Sequence, residues 1–207
     1  MKLGKTLVVA GVLGLAAAAG IAVVAAAHTG NTLNLKTVSN DRSIPDKATP
    51  KTVRFHVVPS SATLKRCMPH AKVDFTVALL TDQTGRDKVH VDASGLPPNT
   101  SFTTFLLEVP ASPFGAAEYF GDVDTDKYGR AHVDFELIVE EAFASTLVDG
   151  KRVRVDLNHV GMWFADPAAD DFCLGKGGGA VTPFDGDNEA GVQAFNSSNS
   201  LPGAPLP

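Results

Sequence analysis

Three kinds of side chain in this sequence could do chemistry: acids in short runs, six histidines and two cysteines. Asp122, Asp124 and Asp126 form an Asp-x-Asp-x-Asp run, an alternation that lets a tight loop turn several carboxylates toward one Ca²⁺. A second acidic cluster, Asp185, Asp187 and Glu189, flanks Gly186, which permits a sharp turn. Hard oxygen donors suit calcium, and calcium is the one cofactor these residues suggest. A rival reading is stronger. Lys127 stands where a calcium loop of the EF-hand type has glycine, and Val133 where it has the bidentate glutamate. Asp126-Lys127-Tyr128-Gly129 also reads as an ordinary hairpin turn, opened by Asp and closed by Gly.

The histidines are His28, His56, His70, His90, His132 and His159. None forms a His-x-His pair that would put two imidazoles on one face of a strand. His56, His90 and His132 each fall on the polar side of an expected strand, where a solvated histidine is the ordinary outcome. A transition-metal site would need such residues to converge from strands whose pairing is not legible in the sequence. His159 shares the parity of Val153, Val155 and Leu157 and is expected in the core or at a strand end. Nucleophilic catalysis finds no support, with no Gly-x-Ser-x-Gly elbow and no papain-like or caspase-like cysteine context, and the lack of a Cys-x-x-Cys pair argues against a redox enzyme. The adjacent acids Glu140–Glu141 and Asp170–Asp171 read as solvated charge, and Gly175 to Gly179 as a flexible loop without the flanking strand and helix of a phosphate cradle.

The compartment follows from the first 27 residues. Lys2 and Lys5 precede a stretch from Leu7 to Ala27 without a charged or polar side chain, closed by Ala25-Ala26-Ala27. This is the pattern of an export signal with a small-residue cleavage site. The alternative is an uncleaved anchor over residues 7–27, the only route by which this chain would hold a membrane. Twelve of these 21 residues are Ala or Gly, which weakens insertion and favours the signal. Removing residues 1–27 takes away two lysines, so 16 basic and 23 acidic residues leave a formal charge of −7. An acidic domain lacks the basic stripe that nucleic acid requires. In an oxidising compartment the only two cysteines, Cys67 and Cys173, are expected to form one disulfide.

These residues must be positioned by strands. Residues 28–50 have no apolar period and read as a spacer. From residue 51 the period is two: Val53, Phe55 and Val57; Val73, Phe75, Val77 and Leu79; Val89, Val91 and Ala93; Ala131, Val133, Phe135, Leu137 and Val139; Val153, Val155 and Leu157. Polar residues alternate with each set, the pattern of strands with one face in a core and one in water. Phe143 and Leu147, four apart, suggest a single helical turn over Glu140 to Leu147 crossing between sheets. Trp163, the only tryptophan, is expected as core volume near the disulfide. Residues 197–207 are expected to trail off.

Leu96-Pro97-Pro98-Asn99-Thr100-Ser101-Phe102 resembles the loop leading into a late strand of fibronectin type III and related immunoglobulin-like sandwiches, whose pattern is Leu-x-Pro-x-Thr-x-Tyr. Phe102 replaces the tyrosine, so the corner hydrogen bond of that family cannot form here. The region after the leader is also similar to secreted proteins of Gram-positive, high-GC bacteria. The resemblance implies a sandwich. Together these features predict an all-β, immunoglobulin-like antiparallel sandwich of seven or eight strands over residues 51–196, with one short helical crossover. The function expected is non-catalytic: a secreted or envelope domain that binds an extracellular protein or glycan, or has a structural role there. The alternative is a secreted hydrolase with loop-borne acids and histidines.

Overall fold

A computed structural model describes residues 51–185, 188–197 and 203–207, except the side chains of residues 184, 185 and 188. The expected leader (1–27) and spacer (28–50) lie outside the described residues, as does Asp187. In chain order the elements are β1 (Lys51–Pro59), α1 (Ala62–Cys67), β2 (Lys72–Leu79), α2 (Thr81–Thr84), β3 (Asp87–Ser94), β4 (Ser101–Leu107), β5 (Ala117–Asp124) and β6 (Ala131–Leu137). They continue with β7 (Phe143–Val148), β8 (Lys151–Asp156), β9 (His159–Phe164), a 3-10 turn (Pro167–Asp170), α3 (Asp171–Leu174), β10 (Thr182–Asp185), β11 (Asn188–Ala190) and β12 (Gln193–Asn196).

Eight strands pair in the order β5-β4-β9-β12-β1-β2-β3-β6, antiparallel throughout. β1 belongs to both halves. Lys51 to Val57 pair with β2, whereas Val58 and Pro59 pair with β12. One half, β2-β3-β6 with most of β1, gives its apolar alternates Phe55, Val73, Phe75, Val77, Val89 and Val91 to a core that the other half fills with Phe102, Leu106, Val160, Met162, Phe164 and Phe195. The result is the expected all-β, sandwich-like arrangement. Phe55 and Phe75, direct cross-strand partners, stack with centroids 5.2 Å apart. The two end strands, β5 and β6, are consecutive in the chain, and Phe120 meets Phe135 edge-on at 5.2 Å. Gly121 makes that approach possible, since a Cβ there would lie 2.2 Å from the Phe135 ring.

The helical crossover is α1, between β1 and β2, rather than Glu140 to Leu147. Its N-cap Ser61 accepts the Leu64 N–H at 3.1 Å, and Lys65 and Arg66 occupy its last turn, where cations suit the helix dipole. Cys67 at its end is bonded to Cys173 in α3, with Cα atoms 5.6 Å apart. Glu140 to Leu147 holds no helix: Phe143 to Val148 is β7, paired only with β8 in a two-stranded ribbon. Phe143 is exposed there, its ring covered by the Arg154 guanidinium at 4.2 Å, so the i,i+4 spacing of Phe143 and Leu147 reflects two residues on one face of a strand.

β4 and β9 are buried on both faces. Phe102 and Leu106 enter the main core, whereas Phe105 and Leu107 join Trp163, Phe114 and Ala190 on the opposite face. Trp163 is thus buried, at 1% exposure, but in this second cluster and apart from the disulfide. Phe102, where the resemblance wanted tyrosine, packs on Phe164 and Phe195. The corner is instead fixed by Thr125, whose hydroxyl donates to the Pro97 carbonyl at 2.6 Å and accepts the Thr100 N–H at 2.9 Å. Of the end expected to trail off, residues 198–202 lie outside the described residues, but residues 203–207 pack back on the domain. Leu206 is 5% exposed within the core, and its N–H donates to the Asn158 carbonyl at 3.1 Å.

Two acids are buried outside any expected site. Asp87 is fully buried, and its carboxylate accepts four backbone N–H groups: Leu80 at 2.6 Å and Thr81 at 2.8 Å on Oδ1, Val139 at 2.7 Å and Glu140 at 2.8 Å on Oδ2. It ties the β2–β3 connection to the end of β6. Asp170, expected to be solvated, is buried as well; burial, then the neighbouring Asp171 and Asp166, raise its pKa against the lowering N–H of Val192.

Candidate metal centre

The outer face of the β1-β2-β3-β6 half is polar, and the register organises it into rows. Val91 pairs with Val133, which sets His90 opposite Asp134 and Asp92 opposite His132. The second of these pairs extends across the sheet, since Asp92 faces Asp74 and Asp74 faces His56. Side chains directly opposite on one face lie about 4.5–5.5 Å apart at Cβ, so four residues of two matching pairs meet in a square.

Within it, His90 Nδ1 is 2.7 Å from Asp134 Oδ1 and His90 Nε2 is 3.0 Å from Asp92 Oδ2. His132 Nδ1 bonds the other oxygen, Asp92 Oδ1. The side chains are 40% exposed for His90, 49% for Asp92 and 71% for His132. The Asp134 carboxylate, bonded to Nδ1, holds the His90 imidazolium above its ordinary pKa; slight burial opposes this, and the charges of Asp92 and Asp134 add to it. One nitrogen of each ring and one Asp92 oxygen lie within 4.8 Å of one another.

Two imidazoles and a carboxylate form a donor set for a divalent transition ion. In a tetrahedral centre with bonds near 2.0–2.2 Å such atoms sit about 3.4 Å apart, so small side-chain rotations close the group around an ion. His90 is bonded through both nitrogens. With Nε2 toward the ion, Asp134 would keep Nδ1–H, the outer carboxylate that commonly fixes the tautomer and orientation of a ligating histidine.

The residues singled out for calcium are placed elsewhere. Asp122 and Asp124 are exposed on β5, on one face because alternate strand residues share a face. Asp126 opens a turn, its Oδ1 accepting the N–H groups of Tyr128 at 2.7 Å and Arg130 at 3.0 Å. Those bonds, the Arg130 N–H foremost, hold its pKa below the usual value against desolvation. Asp185 falls in β10 and Glu189, exposed, in β11. Among the described residues, the cluster with metal-ligating spacing is His90, Asp92 and His132, whose nitrogen donors favour transition ions over calcium. His159 is half-buried, burial lowering its pKa, and it bonds Ser197 Oγ at 3.2 Å.

One signal for the cluster was present in the sequence. His90-Val91-Asp92 and His132-Val133-Asp134 are the same tripeptide, and antiparallel pairing centred on the two valines sets each histidine against the other's aspartate. Recognising it requires knowing that β3 pairs with β6, across two intervening strands. The fold and the cluster define an all-β, sandwich-like domain with a strand-borne group of two histidines and an aspartate. No family model, curated protein or solved structure matches this chain.

Proposed function

We propose that this is an exported domain that binds a divalent transition-metal ion at His90, Asp92 and His132. The observation that supports it is the convergence of the three donors within 4.8 Å, with Asp134 behind His90. Three protein ligands leave a coordination position for water, the arrangement of catalytic rather than structural zinc sites. An ion held there would supply Lewis-acid chemistry suited to hydrolysis, which favours that role over a purely structural one. The hydrolase reading survives in altered form: its residues lie on strands, not loops. The exposure of the three side chains on a sheet face supports the second reading, a non-catalytic binding domain of the extracellular space. Among the described residues no helix is long and apolar enough to cross a membrane.

Calorimetric titration with Zn²⁺ and Cu²⁺ tests the reading. One-site binding is expected, weakened at least about tenfold by His90→Ala or His132→Ala and less by Asp134→Asn, in line with the effects of lost ligands and outer partners. Absence of binding, or binding unchanged in the His90→Ala/His132→Ala double variant, refutes it.

A further inference from the structure

The polar face continues beyond the cluster. Lys72 and Ser94 are direct partners one same-face step from Asp74 and Asp92, and Arg130 stands one such step from His132. At about 3.3 Å per residue, this places their row about 7 Å from the cluster. Here the sheet face opens into a depression of about 490 Å³ lined by His70, Lys72, Ser94, Tyr128 and Arg130. That volume falls within the roughly 300–1,000 Å³ of small-molecule sites.

The chemistry of the lining is one-sided. Lys72 and Arg130 bring two full positive charges, Ser94 and Tyr128 two hydroxyl donors, and His70 an imidazole. Neither Lys72 nor Arg130 takes part in an ion pair among the described residues; the charge of Arg130 acts on Asp126, whose Oδ1 accepts the N–H groups of its turn. The carboxylates sharing this face, Asp74, Asp92 and Asp134, oppose an approaching anion while the cluster is metal-free. A divalent ion held by His90, Asp92 and His132 reverses that balance and adds an electrophile beside the two cations.

Resting on the metal-binding reading, we infer that the metal-loaded face binds a phosphate group, with the ion on one side and Lys72 and Arg130 on the other. A tetrahedral dianion has enough oxygens to meet a planar guanidinium, an ammonium and a metal at once, which a single carboxylate does not. The depression also leaves space for an organic substituent, so the phosphate can be free or the head of a monoester. Binding depends on the ion: the metal supplies the charge that the acids of this face otherwise cancel.

The test titrates inorganic phosphate and phenyl phosphate, separately, into the full chain carrying one equivalent of Zn²⁺ and into the metal-free chain. Saturable binding is expected only with zinc, at least about tenfold weaker without it. The Lys72→Ala/Arg130→Ala variant is expected to keep its zinc affinity and lose phosphate binding by a similar factor. Binding of both probes assigns a monoester site, and binding of inorganic phosphate alone assigns free phosphate. If the zinc-loaded chain binds neither probe, or the variant binds them as well as the parent, this inference is overturned while the metal centre stands. If zinc itself does not bind, the metal centre falls and this inference with it.

Discussion

Replacing Asp87 by asparagine tests the account of the fold at one atom. The two side chains are nearly isosteric, so the change creates no cavity. Its Oδ2 accepts Val139 N–H at 2.7 Å and Glu140 N–H at 2.8 Å, and its Oδ1 those of Leu80 and Thr81. An amide can present its oxygen to only one of these pairs and must point an NH₂ at the other. Two backbone N–H groups are then orphaned at a fully buried site, and the remaining pair loses a charged acceptor. At about 1–3 kcal/mol per unsatisfied buried group, Asp87→Asn is expected to cost roughly 2–6 kcal/mol. That is a large part of the 5–15 kcal/mol typical of a domain. The effect also has a pH signature. Burial pushes the Asp87 carboxyl up, but the N–H groups of Glu140, Leu80 and Val139 together outweigh it and leave its pKa below the ordinary 3.8. The stability it contributes is therefore complete above the unfolded value and is lost as pH falls through the folded one. Urea unfolding of parent and variant at about pH 7 and about pH 2 should show a gap that narrows in acid. Equal stability at neutral pH, or a gap that persists unchanged in acid, would refute the reasoning.

Three further outcomes are expected. Replacing Cys67 and Cys173 by serine opens a 106-residue loop and should lower stability by about 2–4 kcal/mol, read by calorimetric melting of parent and variant; an unchanged melting temperature contradicts it. Leu206→Ala should destabilise by about 2–5 kcal/mol as a buried core truncation, and a shift within error in denaturant unfolding would place that residue outside the core. Zinc affinity should fall steeply between about pH 7.5 and about pH 5.5, because Zn²⁺ must compete with the proton on His90, which Asp134 holds above the ordinary imidazole pKa. A flat calorimetric profile would show that the histidines are not ligands.

The strands at β1, β2, β3 and β6 were legible because water wets one face of each, so that alternation survives in the residues. β4 and β9 hid their type, since a second apolar cluster covers their outer face, so both faces are buried and the apolar alternation is lost. The ribbon of β7 and β8 misled in the opposite direction: its apolar alternates predict burial, but Leu147 and Val153 are exposed. The Asp-x-Asp-x-Asp run was the mark of a strand face and a turn, local features that imitate a calcium loop. The histidine–aspartate square is the product of register between strands 40 residues apart, which no local pattern encodes, although the repeated His-Val-Asp hinted at it.

The pairing of β1 with β12 joins the first described strand to the last. A chain emerging N-terminus first can build β1, β2 and β3 early, but the other half of the sandwich stays unclosed until residues 193–196 arrive. Until then β9 and the end of β1 present bare ladder edges, which template association between chains. Completion of the fold is thus forced late by topology. The same wiring makes the C-terminal end a quality checkpoint: a chain cut short before β12 has all its disulfide cysteines and its whole histidine–aspartate face, yet exposes the two edges that the missing strand would have sealed.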